Sequence, residues 1–327
     1  MKVLLTGGSG FLGSHVAEQL SARGDEVRAL VRQSSDSTFL RSLAGVELVS
    51  GAIEDRASLD LAVKGVDAVV HSAGLVKARR PEDFVTTNVQ GTRNLLDSIL
   101  KHGPSVRRFV LVSSLTAVGP SLDGSPVAAD ANRPVNAYGR SKARAEQVVR
   151  DVADRLSVVI VRPSVLYGPR DRETLSFFKS IASGALPLMG DGSMLTSVAY
   201  GPEAADGCLR ALEADVPSGS SYFLDDGHPY VWRHMLEDIE RAMGTRALWR
   251  IGMPIPLLFA VAFGVELFGR LTGRAVMLTR DKVKELNGLH WVCDSSATRR
   301  ELGWQPKIDW IEGTRLTVDW YRAQGWL

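Results

Sequence analysis

Residues 1–20 read MKVLLTGGSGFLGSHVAEQL, and this stretch decides the fold. Lys2 to Thr6 form an apolar segment of strand length, and Phe11 to Leu20 carry apolar residues at helical spacing. The glycines between them therefore predict a tight turn from a strand into a helix. Because the N-terminus of a helix presents unpaired N–H groups, a phosphate is expected to bind at this turn.

The glycines fit two registers, Gly7-x-x-Gly10-x-x-Gly13 and Gly8-x-Gly10-x-x-Gly13. In either register the absent side chains let the backbone turn tightly, approach a pyrophosphate and pack the helix against the strand. A glycine turn without a ligand is the competing interpretation, but the strand before the turn and the helix after it favour a nucleotide. The residues predicted to contact the cofactor here are Gly7, Gly10, Phe11, Leu12 and Gly13.

Length and composition narrow the classes of function. The 327 residues suffice for one large domain or two modest ones, and 39 basic against 37 acidic residues leave a net charge of +2. This balance gives no electrostatic argument for a nucleic-acid partner. Cys208 and Cys293 lie far apart, without other cysteines or paired histidines at metal-ligand spacing, so they are interpreted as ordinary thiols and no metal site is predicted.

The N-terminus and the least polar stretch of the sequence bear on where the protein is located. The apolar segment after Lys2 is short and ends in glycines, so it does not resemble a signal peptide, and a cytoplasmic location is expected. The least polar stretch, Ile251 to Val265, is shorter than the ~20 residues that a membrane-spanning helix requires.

The first half of the chain alternates strand and helix signals. Strands are predicted at 27–31, 46–50, 68–72, 109–113 and 158–162, with helices at 81–101 and 138–155. This alternation predicts an α/β fold, a Rossmann-type doubly wound parallel sheet with a smaller C-terminal substrate-binding lobe. Residues 1–165 are assigned to the nucleotide-binding domain and 166–327 mainly to the lobe, with part of 196–215 packing back onto the sheet.

The residue after the second strand bears on the choice of cofactor. NAD-binding chains usually place a carboxylate there, on the ribose 2′-hydroxyl group, whereas this chain has Arg32 and no carboxylate before Asp36. A guanidinium group suits a 2′-phosphate by its charge and its forked donors, which predicts NADP(H) in preference to NAD(H). The alternative is that Arg32 is a solvated surface residue and that Asp36 reaches the ribose of NAD(H).

A candidate acid/base pair is Tyr138-x-x-x-Lys142, since this spacing puts both side chains on one face of a helix. A cation near a phenol favours the phenolate and lowers a pKa that is otherwise about 10. Ser113, Ser114 and Thr116 follow an apolar strand, at the edge where parallel sheets bind their ligands. A hydroxyl group there could hold a substrate oxygen; capping of a turn is the alternative, more for Ser113 and Thr116 than for Ser114.

Six segments in this order and spacing resemble the extended short-chain dehydrogenase/reductase family, and the C-terminal segment from Asp294 is also similar. The segments are TGGSGFLG (6–13), HSAG (71–74), NVQGTRNLL (88–96), SSLTAVG (113–119), YGRSK (138–142) and RPSVLYGP (162–169). The resemblance implies a catalytic serine, which is Ser114, with Tyr138 and Lys142 as its partners. Asn88 is expected to help relay protons through water.

The same resemblance implies further contacts with the cofactor. The segments HSAG and RPSV, the second of which resembles the backbone that lies along the nicotinamide, add Ala73, Pro163 and Val165. Many members of the family bind the adenine amine through an acidic residue, but this chain has Ala52 at that place. The adenine contact is therefore expected from the Ile53 backbone or from Glu54.

The family contains sugar-nucleotide epimerases and dehydratases as well as reductases of steroid, flavonoid and fatty β-keto substrates. Sugar-nucleotide members usually carry an arginine after a GDG element, to pair with the diphosphate, whereas Met194 and Leu195 stand there in this chain. In layout the chain therefore resembles 3β-hydroxysteroid dehydrogenase-like, dihydroflavonol reductase-like and fatty β-ketoacid reductase-like members. Residues 254–272 are interpreted as a core or dimer helix, as a lid over an apolar substrate, or as a helix in peripheral contact with a membrane.

These observations together predict an NADP(H)-dependent oxidoreductase that interconverts a ketone and a secondary alcohol on a bulky apolar substrate, with Tyr138 as acid/base. The alternatives are a nucleotide-sugar epimerase, dehydratase or reductase, and a non-catalytic NADP-binding sensor or scaffold. The resemblance also implies a homodimer, formed through the helix that carries Tyr138 and the helix near 88–101.

Overall fold

The sheet predicted from the strand and helix alternation is present in the computed structural model, which describes residues 1–272, 279–280, 283 and 289–327. Numbered along the chain, its strands are β1 (Lys2–Thr6), β2 (Glu26–Val31), β3 (Val46–Ser50), β4 (Ala68–His71), β5 (Arg108–Val112), β6 (Val158–Pro163) and β10 (Ser220–Leu224). All run parallel, in the order β3-β2-β1-β4-β5-β6-β10. The predicted fold class is confirmed, and each predicted strand agrees with the observed one to within one residue at either end.

Helices cover both faces of this sheet. One face is covered by α1 (Phe11–Ala22) and α8 (Gly201–Glu213), and the other by α3 (Arg56–Ala62), α5 (Gly91–His102) and α6 (Ala137–Arg150). Successive side chains of a strand point to opposite faces. Leu5 therefore packs in the core with α1 and α8, whereas its neighbour Leu4 packs in the core with α3, α5 and α6.

Two predicted helices differ from the observed ones. The helix predicted at 81–101 consists of α4 (Pro81–Phe84), a π-helical segment (Val85–Gln90) and α5. The helix predicted to reach Arg155 ends at Arg150. Beyond it, several backbone N–H groups donate to the carbonyl oxygen three residues earlier, and not four as in an α-helix. The N–H of Ala153 donates to the Arg150 carbonyl oxygen at 3.1 Å, and these turns lead the chain back into β6.

The second lobe lies against one end of the sheet and is built from shorter elements. These are β7 (Val165–Tyr167), α7 (Leu175–Ala182), β8 (Ala185–Met189), β9 (Leu195–Tyr200), β11 (Pro229–Val231), α9 (Trp232–Met243), β12 (Trp249–Met253), α10 (Ile255–Thr272) and α12 (Trp310–Ala323). Two short helices belong to the sheet domain: α2 (Thr38–Arg41), and α11 (Ser296–Glu301), which packs against β10. The core of the lobe is rich in aromatic rings, among them Tyr167, Phe178 and Tyr321. Gly313 leaves room for the Tyr167 hydroxyl group, which donates to the Asp309 carbonyl oxygen at 3.1 Å.

Part of the chain after residue 165, the predicted end of the nucleotide-binding domain, returns to the sheet. Strand β10 pairs with β6, and α8 packs on α1. Cys208 of α8 is buried in this core, and burial raises the pKa of its thiol to about 12. In the part of the chain that the structure describes, no helix combines the length and apolarity that crossing a bilayer requires.

Candidate active site

The strand order reverses between β1 and β4, and the carboxyl ends of the central strands open into a cavity of about 2090 Å³. Doubly wound sheets bind their ligands at such a switch point. Four strands each contribute a wall residue just past their ends: Gly7 follows β1, Ser72 follows β4, Ser114 follows β5 and Ser164 follows β6. The topology of the sheet thus brings these segments of the chain to one site.

The glycine turn uses the register Gly7-x-x-Gly10-x-x-Gly13. Gly7 has a φ of +75°, and a Cβ atom there would lie 2.6 Å from the Ala73 nitrogen. A Cβ atom on Gly13 would overlap the Gly7 carbonyl oxygen. By contrast, the nearest atoms to a Cβ atom on Gly8 would belong to side chains, Leu5 at 3.1 Å and Leu40 at 3.5 Å. Gly7 and Gly13 are therefore required by close backbone approach, and Gly8 is not.

The N-terminus of α1 fits the pyrophosphate of a dinucleotide. Gly10 is the N-cap residue, and no side chain in the described part of the structure caps the helix there. The first N–H groups of a helix lack partners within the helix and attract anions. Because Gly10, Phe11, Leu12 and Gly13 all line the cavity, their backbone faces the space that a dinucleotide phosphate would take.

Lys142 lies at the inner wall of the cavity with its side chain 6% exposed. Its Nζ donates a hydrogen bond of 2.7 Å to the Val112 carbonyl oxygen at the end of β5. Burial lowers the pKa of Lys142 to about 8, and the nearby Glu146 carboxylate partly opposes this effect. The ammonium group is therefore charged at neutral pH but is easily discharged above it.

Ser114 both caps a turn and faces the cavity. Its Oγ accepts hydrogen bonds from the Thr116 backbone N–H at 3.2 Å and from the Thr116 hydroxyl group at 2.9 Å. Since both bonds are accepted, the hydroxyl hydrogen of Ser114 remains available to a substrate oxygen. Turn capping, the alternative that sequence analysis favoured more for Ser113 and Thr116, is thus performed by Ser114 itself.

Ser113 belongs to a buried ionic cluster that sequence analysis missed. Its hydroxyl group donates to Glu146 at 2.6 Å, and Arg162 donates to the same carboxylate at 2.8 and 2.6 Å. Burial by itself would raise the pKa of Glu146, but Arg162 and then Ser113 outweigh it and hold the pKa below its ordinary value. The available signal was a glutamate four residues after Lys142, on the same helix face.

Tyr138 lies one helical turn before Lys142 and lines the same cavity. Its ring lies 5.9 Å from the ring of Phe84, which also lines the cavity. The side chain of Asn136 caps this helix by accepting a hydrogen bond of 2.6 Å from the Gly139 N–H. The fold therefore brings Ser114, Tyr138 and Lys142 to one wall, from two elements.

Asn88 lies behind the cavity wall, in the π-helical segment. Its amide oxygen accepts from the Leu75 N–H at 2.7 Å, and its amide nitrogen donates to the Leu75 carbonyl oxygen at 3.1 Å and to the Ser141 hydroxyl oxygen at 2.9 Å. Both the oxygen and the nitrogen of the Asn88 side-chain amide therefore have hydrogen-bond partners within the protein. The geometry thus assigns Asn88 to holding the Leu75 loop against α6, and π-helical turns are frequent at functional sites.

The other predicted cofactor residues divide into two groups. Pro163 and Val165 line the cavity, whereas Arg32, Ile53 and Ala73 do not belong to its lining. The Ile53 carbonyl oxygen accepts from Asn94 at 3.1 Å. Glu54, the alternative adenine contact, accepts from the Thr87 hydroxyl group at 2.9 Å. The structure thus gives both candidate adenine contacts an internal partner.

Sequence analysis missed two arginines in the segment after β7, Arg170 and Arg172. They lie at the end of the cavity that Asp36 and Phe39 line. Arg170 has a φ of +71°, donates to Glu18 at 2.6 Å and lies 4.1 Å from the ring centre of Phe39. Arg172 lines the cavity together with Asp36. A hydrogen bond from the Thr38 N–H, and to a lesser extent the charge of Arg172, lowers the pKa of Asp36. An anionic carboxylate and a cationic guanidinium group therefore stand near each other at this end.

In the loop that would bind a sugar diphosphate, apolar residues occupy the positions after the GDG element where an arginine is expected. Met194 and Leu195 are partly buried at the start of β9. The guanidinium group close to this loop belongs to Arg233, which donates to the Asp191 carbonyl oxygen and does not belong to the lining of the cavity.

Known proteins resemble this chain in sequence and in fold. The sequence model of the NAD dependent epimerase/dehydratase family matches residues 3–224. A ceramide reductase of Caulobacter vibrioides is 35% identical over 99% of this chain and 96% of its own. A 2-alkyl-3-oxoalkanoate reductase of Stenotrophomonas maltophilia is 30% identical over 96% of this chain and 98% of its own.

Among solved structures, a dTDP-glucose 4,6-dehydratase from Streptomyces venezuelae with NAD bound superposes with a TM-score of 0.81. It is 27% identical, and the alignment covers 100% of this chain and 98% of that one. The fold is therefore shared with sugar-nucleotide enzymes as well as with reductases.

Proposed function

Because this chain belongs to the NAD dependent epimerase/dehydratase family, and is thus an enzyme of the NAD(P)-dependent oxidoreductase type, we propose that it interconverts a ketone and a secondary alcohol. The observation that carries the proposal is that Ser114, Tyr138 and Lys142 line one cavity together with the glycine turn. A nicotinamide cofactor whose pyrophosphate is bound at the glycine turn would supply the hydride for reduction of the ketone and would accept it in oxidation of the alcohol.

The side chains of the chain itself manage the proton and the charge on the substrate oxygen. Tyr138 donates the proton to the carbonyl oxygen during reduction and takes it back during oxidation. Ser114 donates a hydrogen bond to the same oxygen, where negative charge develops. The Lys142 ammonium group favours the phenolate form of Tyr138, and its bond to Val112 holds it in place. Asn88 acts as a positioning residue through Leu75 and Ser141.

We further propose that NADP(H) is preferred over NAD(H). Arg32 is exposed directly after β2, and Arg172 lines the cavity near Asp36. Two cations, Arg172 in the cavity lining and Arg32 in the loop after β2, would attract a 2′-phosphate, and Arg172 would offset the charge of Asp36. Asp36 by itself would favour the 2′-hydroxyl group of NAD(H), so the preference depends on the arginines.

The proposed substrate is bulky and mostly apolar. Phe259 and Gly269 of α10 line the cavity opposite the sheet, and the arginine near the diphosphate loop, Arg233, is engaged outside it. The two reductases named above act, according to their names, on a ceramide and on a 2-alkyl-3-oxoalkanoate, neither of which is a sugar nucleotide. These features favour a lipid-like ketone or alcohol over a sugar nucleotide.

Calorimetric titration of NADPH, NADH and UDP into the purified protein tests the proposal, followed by turnover of sterols, flavonoids and fatty β-keto acids. Tight NADPH binding without UDP binding, and turnover of an apolar ketone, is the expected result. UDP binding would replace the proposal by the nucleotide-sugar function. Tight cofactor binding without turnover of any ketone or alcohol would replace it by a non-catalytic role.

A further inference from the structure

Helix α10 exposes an apolar face to solvent. Leu257, Phe263 and Phe268 are 54%, 53% and 60% exposed. Val261 and Leu267 are exposed as well, and the spacing of these residues places them on one side of the helix. Each exposed residue between Leu257 and Phe268 is apolar, which is the reverse of an ordinary surface helix, whose outer face is polar.

The opposite side of α10 is already occupied by the protein. Leu258 and Ala262 are buried in a small core, and Phe259, Glu266 and Gly269 line the active-site cavity. The helix therefore lies between the cavity and the solvent, and Glu266 is the charged residue among those named on its inner side. Since the inner side has its partners, the outer apolar face needs a partner of its own.

Two more exposed apolar residues precede α10 in the chain. Leu248 and Trp249, at the start of β12, are 83% and 69% exposed. Tryptophan is enriched where one end of a side chain meets an apolar phase and the other meets water. We call Leu248, Trp249 and the exposed face of α10 the apolar ridge.

The segment of sequence that carries the apolar ridge is basic. Residues 246–284 contain seven basic and two acidic residues, a net charge of +5, although the whole chain has a net charge of only +2. The remainder of the chain is therefore net acidic. Arg246 is exposed beside Leu248, and Arg280 forms an ion pair of 3.0 Å with Glu266 and lies over the Phe263 ring. A basic segment that exposes apolar side chains is complementary to an anionic lipid surface.

We propose that the apolar ridge docks on the surface of an anionic lipid bilayer, with α10 lying in the plane of the interface. A second copy of this chain is the weaker candidate, because it would bring two segments of charge +5 together. In the docked state α10, which lines the cavity, contacts lipid. An apolar substrate could therefore pass from the bilayer to the active site without entering water. The docking itself does not depend on which substrate the enzyme uses.

Flotation of the purified full-length protein with vesicles tests the docking. Vesicles of phosphatidylcholine mixed with phosphatidylglycerol are compared with vesicles of phosphatidylcholine alone, at low and high NaCl. The double variant Leu257→Glu/Phe268→Glu is compared with Leu61→Glu/Leu122→Glu, whose two leucines are 64% and 72% exposed at other surfaces. This matched control adds the same charge and removes the same kind of exposed side chain.

The expected result is flotation with the anionic vesicles, weakened by salt, and reduced roughly tenfold in the ridge variant but not in the control. Trp249→Ser, at a surface position, should also reduce flotation, and it keeps the test decisive if the double variant fails to fold. Equal flotation of both double variants would overturn the proposal. The proposal would also be overturned if wild-type protein did not float with the vesicles. The same holds if the ridge variant differed from wild type only in being a monomer instead of a dimer.

Discussion

The Nζ of Lys142 donates a hydrogen bond of 2.7 Å to the Val112 carbonyl oxygen, which ties α6 to the end of β5. Tyr138 lies on α6 and Ser114 lies two residues beyond Val112, so this bond joins the segments that carry the acid/base and the hydroxyl group that would hold the substrate oxygen. The bond also requires burial of the ammonium group, and burial lowers the pKa of Lys142 to about 8.

Reduction is expected to slow at alkaline pH because Lys142 then loses its charge. We predict that kcat/KM for reduction falls above a pH of about 8, the pKa given by burial of Lys142. Between about 8 and the ordinary value of 10.5 the unfolded chain holds this proton and the folded one does not, so this group makes folding more favourable as pH rises. A pH profile of kcat/KM checks the predicted fall in activity, and melting curves over the same pH range check the predicted gain in stability. Activity that stays flat up to the ordinary lysine pKa would contradict the predicted fall.

Tyr138→Phe should remove most turnover. Loss of the hydroxyl group deletes the proton donor while the ring remains near Phe84, so kcat is expected to fall by roughly 10²–10⁴ and the Kd for NADPH to change little. Tyr222→Phe is the control, because its hydroxyl group bonds Glu301 and does not line the cavity. Full activity in Tyr138→Phe would refute the assignment, and equal losses in both variants would point to a folding defect.

Glu146→Gln should destabilise the protein strongly. The substitution leaves Arg162 buried without its countercharge, which costs about 3–5 kcal/mol of the free energy of unfolding. Urea denaturation measures the change. The double variant Glu146→Gln/Arg162→Met, which removes both charges, should recover much of the loss. A single variant as stable as the wild type would mean that this ion pair contributes nothing.

Arg172→Gln should weaken binding of NADPH and leave binding of NADH unchanged. A hydrogen bond to a charged group contributes about 1.5–3 kcal/mol, so the Kd for NADPH should rise by roughly 10- to 100-fold. Arg32→Asp should shift the preference in the same direction. Arg155→Gln, an exposed arginine with a contact of 3.9 Å to Asp154, serves as the control.

Calorimetric titration of NADPH and NADH into the wild-type protein and into Arg172→Gln tests both the cofactor preference and the role of Arg172. If wild-type protein binds NADH as tightly as NADPH, the proposed preference is wrong. If it prefers NADPH but Arg172→Gln retains that preference, Arg32 or another cation binds the phosphate.

Local patterns allowed the sequence by itself to predict the sheet, the glycine turn and the positions of Tyr138 and Lys142. Buried parallel strands are apolar runs, a glycine turn needs no distant partner, and a spacing of four residues shares a helix face wherever the helix lies. These features depend on neighbours in sequence, which is why the predicted strands agree with the observed ones.

Contacts between distant residues decided the rest. The register at Gly7 follows from the approach of Ala73, and the charge of Glu146 is compensated by Arg162 from another strand. Arg172 reaches the surroundings of Asp36 only because the second lobe folds against the sheet. Hydropathy identified α10 as apolar, but only the tertiary structure decided which of its faces is covered, because burial depends on what packs against a side chain and not on the side chain alone.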